Sequence, residues 1–227
     1  MAFIHSPRVV TDGLIYYLDA ANPRSFVSGS NTVYNLLNPT DTGSLIGTAR
    51  YGNDRLGAIQ IPSSASQDAV VINTPISSSF VTYEVWARAV RQSDYGFIMY
   101  NNINEFITQA YMGIMVDNST AGVINAFIGS GNRTAMQTNV TASLNSVYHI
   151  CLVVSGNVQT SYVNGVPQKT TSVGTTANYN TITYFGDPPN SSRGMSGSLY
   201  AVRFYNRPLS GDEILQNFNA NRSRFGV

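Results

Sequence analysis

Charge is what this 227-residue chain has least of: Lys, Arg, Asp and Glu together make up 11% of it, against roughly 25% in an ordinary globular protein. Lys169 is the single lysine, and the arginines are scattered one at a time. A net charge of +1 with no basic block leaves no electrostatic footprint for nucleic acid or an anionic membrane surface. Cysteine is equally scarce. Cys151 stands alone, which excludes an intrachain disulfide and a thiolate metal cluster. No window approaches the roughly 18 apolar residues of a membrane-spanning helix. The opening Met-Ala-Phe-Ile-His-Ser-Pro lacks the apolar stretch of a signal peptide. The expectation is a protein made and folded in a cytoplasm and not secreted. On that expectation the Asn-x-Ser/Thr sites at Asn118, Asn132, Asn139, Asn190 and Asn221 arise by chance and carry no glycan.

What the chain does have is apolar sequence cut into short runs. Hydrophobic residues make up 43%, too many for a disordered polymer, and Gly, Asn, Ser and Pro clusters separate them. The runs read as strands over Leu14–Asp19, Ala58–Ile61, Ala69–Asn73, Phe80–Val90, Gly96–Asn101, Tyr111–Asp117, Gly122–Ile128, Val147–Ser155, Gln159–Val163, Thr181–Phe185 and Ser198–Tyr205. Many short strands at this spacing point to a sandwich or barrel, and the absence of βαβ alternation argues against a parallel sheet. The length suits one all-β domain. Residues 1–12 read as an arm, 13–210 as the sandwich, 211–220 as a helix and 221–227 as a tail. Pro23–Leu56 reads as long loops with a few short strands.

Local patterns sharpen this picture. In Phe80–Val90, Val81, Tyr83, Val85 and Ala87 share one face, and Thr82, Glu84, Trp86 and Arg88 share the other. Val147–Val154 is almost continuously apolar, as expected of a central strand covered on both faces. Asn164-Gly165 between apolar positions predicts a type I′ hairpin turn, and Pro167 suits an edge strand. Ser210 and Glu213 have capping-box spacing. Ile214, Leu215 and Phe218 follow as an apolar stripe, before Asn219-Ala-Asn-Arg is expected to fray the helix.

Four segments in order resemble the laminin-G-like jelly-roll domains of the concanavalin A-like lectin/glucanase superfamily. Gly13-Leu-Ile-Tyr-Tyr-Leu-Asp-Ala-Ala-Asn-Pro-Arg-Ser-Phe26 is similar to the opening of that module in bacteriophage virion proteins. Phe80-Val-Thr-Tyr-Glu-Val-Trp86 resembles its F-T-I-E-A-W strand, and Tyr148-His-Ile with Ser161-Tyr-Val-Asn-Gly165 resembles its W-H-H-V…Y-V-N-G hairpin. Ser196 to Ile214 resembles its G-x-I-x-x-V-R-I-Y-N-R-A-L-S-x-E-E-I close. Asn217-Phe-Asn-Ala-Asn-Arg-Ser-Arg-Phe225 is similar to the tails of tailed-phage structural proteins. The resemblance implies an all-β, two-sheet antiparallel jelly-roll sandwich with one short C-terminal helix. The fold does not choose among the lectins, enzymes, adhesion domains and virion parts that share it.

Glycoside hydrolysis, an activity of this superfamily, needs two carboxylates flanking the scissile bond. The superfamily's glucanases place theirs at i, i+2, i+4 on one strand face. Here that face gives Glu84, Trp86 and Arg88, and an arginine beside Glu84 would hold it ionised, the wrong state for a general acid. Glu84 is therefore expected to be an outward residue paired with Arg88, and the chain is expected not to be an enzyme. His149 and Cys151 lie inside the apolar strand and read as packed core residues. Trp86, flanked by Glu84 and Arg88, is the candidate sugar platform. The competing and favoured reading buries it under a loop such as Asn101–Gln109, with its indole N–H satisfied locally. No cofactor is expected. Calcium is the one open possibility, with Asp117, Asn118, Asp187 and Asp12 as donors or as ordinary turn residues.

Two functions lead, with a degenerate glycosidase as a third reading. The first is a non-enzymatic bacteriophage virion structural protein, a capsid-decoration, head-fibre or neck/tail-associated jelly-roll that docks on other virion proteins or on copies of itself. Its attachment would use the arm, the tail or the Pro23–Leu56 loops. The second is a lectin-like module that binds host-surface glycan.

Overall fold

A computed structural model describes residues 7–27, 29–62, 67–73, 79–91, 95–101, 111–117, 122–129, 137–172, 182–187 and 194–227. In chain order the strands are β1 (Leu14–Asp19), β2 (Thr32–Tyr34), β3 (Thr42–Ile46), β4 (Arg50–Gly52), β5 (Ala58–Ile61), β6 (Ala69–Asn73), β7 (Phe80–Arg91) and β8 (Tyr95–Asn101). They continue as β9 (Tyr111–Asp117), β10 (Val123–Gly129), β11 (Gln137–Thr141), β12 (Val147–Ser155), β13 (Val158–Val163), β14 (Val166–Ser172), β15 (Ile182–Gly186) and β16 (Ser196–Tyr205). One helix, α1 (Gly211–Phe225), follows.

The strands form two antiparallel sheets. One runs β14-β13-β12-β7-β16-β5-β4, with β1 also paired to β16, and the other runs β11-β10-β9-β8-β15-β6-β3-β2. Val81, Tyr83, Val85 and Ala87 of β7 and Ile150, Leu152 and Val154 of β12 join Ile98, Ile114, Ile124 and Phe185 of the opposite sheet in one continuous core. The period-2 alternation of β7 therefore places its core face as expected. The first and last strands meet, with Leu18 opposite Val202.

The predicted turn forms with positive φ at both Asn164 (51°) and Gly165 (78°), as a type I′ turn requires. Asn164 also accepts from the His149 N–H at 3.0 Å, which ties the hairpin to β12. Pro167 lies in β14, an edge strand.

β2, β3 and β4 are the short strands expected within Pro23–Leu56, here given their bounds. Several elements differ from the sequence reading. β11 and β14 are polar edge strands. On β14, Lys169 and Pro167 are devices that discourage further strand pairing.

The helix shows the largest difference. Its capping box forms, with Glu213 N donating to Ser210 Oγ at 3.3 Å and Ser210 N to Glu213 Oε2 at 2.8 Å. It then runs to Phe225, beyond the expected end at 220. Of the asparagines expected to fray it, Asn221 is engaged, as is Asn217 one turn earlier. Asn217 is fully buried and hydrogen-bonded, and Asn221 accepts from Arg203 at 2.6 Å. Tertiary bonds outweigh a propensity deficit of less than about 1 kcal/mol per residue. Leu215 is 43% exposed, so Ile214, Asn217, Phe218 and Phe225 form the inward face.

Both ends are tied to the sandwich over their described residues. Asn217 Oδ1 accepts from Val10 N at 2.7 Å, and Tyr205 donates to Val10 O at 3.1 Å. Arg224 bridges the tail to Asp19 at 2.8 Å and to Gly57 O at 2.7 Å. Residues 1–6 lie outside the described set. No described helix is long and apolar enough to cross a membrane.

Candidate functional site

The outer face of β7 carries Thr82, Glu84, Trp86 and Arg88, and strand register decides what each meets. Glu84 stands opposite Arg203 of β16 on one side and Cys151 of β12 on the other. Trp86 stands between Ala201 and His149, and Arg88 between Ser198 and Val147. Helix α1 lies over the first two rows.

Glu84 is fully buried, and its partner is not Arg88. Its Oε1 accepts from Arg203 Nη1 and, at 3.2 Å, from His149 Nε2, while Oε2 accepts from Asn217 Nδ2 at 2.7 Å. Arg203 also donates to Asn221 at 2.6 Å and to Tyr17 Oη at 3.2 Å, with its guanidinium over the Tyr17 ring. Burial alone would raise the Glu84 carboxyl, but the Arg203 charge and the hydrogen bonds from His149 and Asn217 hold it down at about 2. Cys151 lies 3.4 Å from His149 Nε2. Burial first, then the Glu84 charge, pushes its thiol well up, opposite to what a reactive thiolate requires.

Trp86 is 0% exposed and offers no face to a sugar. It stacks on Phe225 at 4.4 Å and Phe218 at 5.8 Å, with His149 at 4.8 Å. The described cover is therefore the helix; of the Asn101–Gln109 loop all but Asn101 lies outside the described residues. Among the described residues its indole N–H has no hydrogen-bond partner, contrary to the expected local satisfaction.

Arg88 escapes the helix. It pairs with Asp54 at 2.9 Å and donates to Ser198 Oγ at 3.2 Å. Asp54 also accepts from Tyr200 at 2.6 Å. Register continues this row: Arg88 faces Ser198, Ser198 faces Gln60, and Gln60 faces Arg50. An open cleft of about 180 Å³ lies along it, lined also by Ile61, Pro62, Ser196 and Gly197. A second cleft of about 270 Å³ is bounded by Pro23, Val27, Tyr34, Leu36 and Pro39. Its Asn35 amide is already committed to Tyr17, Leu37, Ile15 and Asp41.

Among the described calcium candidates, Asp187 and Asp12 are engaged in separate contacts. Asp187 is buried and accepts from Gly194 N at 3.0 Å, and Asp12 pairs with Arg207 at 2.8 Å. Asp117 ends β9, while its side chain and all of Asn118 lie outside the described residues. The described group with metal-ligating atoms is instead Glu84, His149 and Cys151, whose donors lie within 4.8 Å of one another. Nitrogen and sulfur donors suit zinc or copper more than calcium, which takes oxygen. Arg203 and Asn217 already occupy both Glu84 oxygens, so a cation bound there would displace a guanidinium. The cluster was missed because its members come from β7 and β12, and only their register reveals it.

Residues 63–215 match the family model described as "Concanavalin A-like lectin/glucanases superfamily". The chain belongs to that laminin-G-like family. No curated protein sequence matches it. Among solved structures, Trypanosoma rangeli sialidase in complex with 2,3-difluorosialic acid matches with a TM-score of 0.73 and 16% identity over 96% of this chain and 35% of that one. Domain 4 of AbnA, an extracellular arabinanase of Geobacillus stearothermophilus, in complex with arabinotriose, matches at 0.68 and 12% over 90% of this chain and 97% of that one. The botulinum neurotoxin serotype D binding domain matches at 0.66 and 12%, over 91% and 51%. At these identities the likeness shows the fold. The chain spans about a third of the sialidase, and nothing in these matches ties it to a bacteriophage particle.

The expectation that the chain is not an enzyme is overturned as a flat statement. Sialidases share the fold over nearly all of its length. The structure also assembles a buried carboxylate, imidazole and thiol, residue types that carry acid–base and nucleophilic chemistry.

Proposed function

We propose that the protein is a carbohydrate-binding module of the lectin-like jelly-roll type. The observation that carries this reading is the match to AbnA domain 4. That solved chain is coextensive with this one and holds arabinotriose. The superfamily description supports the same class. The surface offers what sugar recognition needs, which is a shallow cleft with a few convergent polar groups beside apolar walls. The row Arg50, Gln60, Ser198 and Arg88 supplies the polar groups, and Pro62 supplies the wall. The sealed Glu84–His149–Cys151 group lies on the same sheet face but under the helix, where no saccharide reaches it. Binding therefore belongs to the open end of the face.

A glycan array of neutral and acidic saccharides, arabinotriose included, tests this reading. Dose-dependent binding to at least one saccharide is expected. An array silent throughout, with correctly folded protein, contradicts it.

A further inference from the structure

We infer that the cleft over Arg50, Gln60, Ser198 and Arg88 selects a carboxylate-bearing sugar, with Arg50 as the residue that takes the carboxylate. This rests on the carbohydrate-binding reading and narrows it to acidic saccharides.

The argument begins with charge. Two guanidiniums line the cleft, and the one carboxylate paired there, Asp54, belongs to Arg88. Asp54 is also anchored by the buried Tyr200. Burial, with the Asp54 hydrogen bond adding to it, raises the Tyr200 hydroxyl to about 12, so it stays a donor. Arg50 has no ion-pair or hydrogen-bond partner for its side chain among the described residues, and it is exposed. Arg50 thus leaves an unpaired guanidinium at the mouth of a polar cleft.

Donors also outnumber acceptors. The five N–H groups of Arg50 have no side-chain partner among the described residues, and neither has the Gln60 amide with its two N–H donors and one carbonyl. Against these stands the Ser198 hydroxyl, which already accepts from Arg88 at 3.2 Å. A ligand rich in acceptor oxygens and carrying one negative charge completes this set. A guanidinium fork matches a planar carboxylate through two parallel hydrogen bonds, which an ammonium does not reproduce.

Geometry limits the size. The row crosses four neighbouring strands, three spacings of about 4.8 Å each, or roughly 14 Å. The cleft, about 180 Å³, is smaller than the roughly 300–1,000 Å³ of sites that enclose a drug-sized ligand. It takes a segment of an acidic chain lying across the strands. β4 and β5 form the rim, so a longer polymer continues into solvent.

The test is calorimetric titration of the whole protein with trigalacturonate and with the same trisaccharide after reduction of its carboxyls to primary alcohols. Trigalacturonate should bind about 10–100-fold more tightly, as expected for one charge-assisted bidentate contact. Arg50→Gln should remove that preference. Arg50→Lys should recover part of it, and the melting temperatures of both variants should match the parent. Equal affinity for the two trisaccharides, or an Arg50→Gln variant with its preference intact, overturns the inference. If the array shows binding to neutral glycans alone, the acidic assignment falls while the module reading stands. If no glycan binds at all, both fall.

Discussion

Glu84 and Arg88 are four residues apart on one face of one strand, yet they live in opposite regimes. Glu84 is roofed by α1 and bonded to Arg203, His149 and Asn217 with no exposure. Arg88 lies beyond the roof, its side chain 25% exposed, at the end of a polar row that opens to solvent. A buried ion pair gains little net stability over an apolar filling, but breaking it is costly. An exposed pair contributes about 1 kcal/mol or less. One face of one sheet thus divides into a part that holds the helix down and a part open to solvent.

The largest effect should come from the roofed region. Trp86→Ala removes the ring on which Phe218 and Phe225 stack and should cost about 3–5 kcal/mol, read from urea unfolding followed by circular dichroism. A loss below about 1 kcal/mol would mean that the helix is held elsewhere.

Acid should dissolve the difference between the regions. The folded Glu84 carboxyl lies at about 2, against an ordinary value of 4.5. Its contribution is therefore complete above about pH 4.5 and lost as pH falls toward about 2, a change of about 3 kcal/mol. Melting curves between pH 6 and pH 2.5 should show this decline. Glu84→Gln should start lower and decline less steeply, and parallel curves would remove Glu84 from the account.

Ser210→Ala should cost about 1 kcal/mol by removing the cap of α1. Thermal melts measure it, and an unchanged melting temperature would show that tertiary contacts alone set the helix start. Smallest is Arg50→Gln, which should change stability by less than about 0.5 kcal/mol. A larger loss would place Arg50 among the structural residues.

The sequence made the core side of this division readable and the outer side only in part. Val81, Tyr83, Val85 and Ala87 follow the period of a sheet, and Asn164-Gly165 and Ser210–Glu213 are local chemistries whose partners lie within a few residues. The Arg203 partner of Glu84 is 119 residues away and is chosen by register between β7 and β16, which no local pattern encodes. Proximity in sequence suggested Arg88 instead. Asn217 and Asn221 look like helix breakers until their partners are known. The Arg50–Gln60–Ser198–Arg88 row is likewise invisible along the chain, because it runs across four strands and not along one.

The division itself is tested most directly by residue-resolved NMR. Amide and indole signals would be followed while the array's strongest glycan is titrated into the protein. Shifts should cluster at Arg50, Gln60, Ser198 and Arg88, while the Trp86 indole and His149 stay where they are. Shifts centred on Trp86 and His149, with the row unmoved, would place the ligand under the helix and contradict the account.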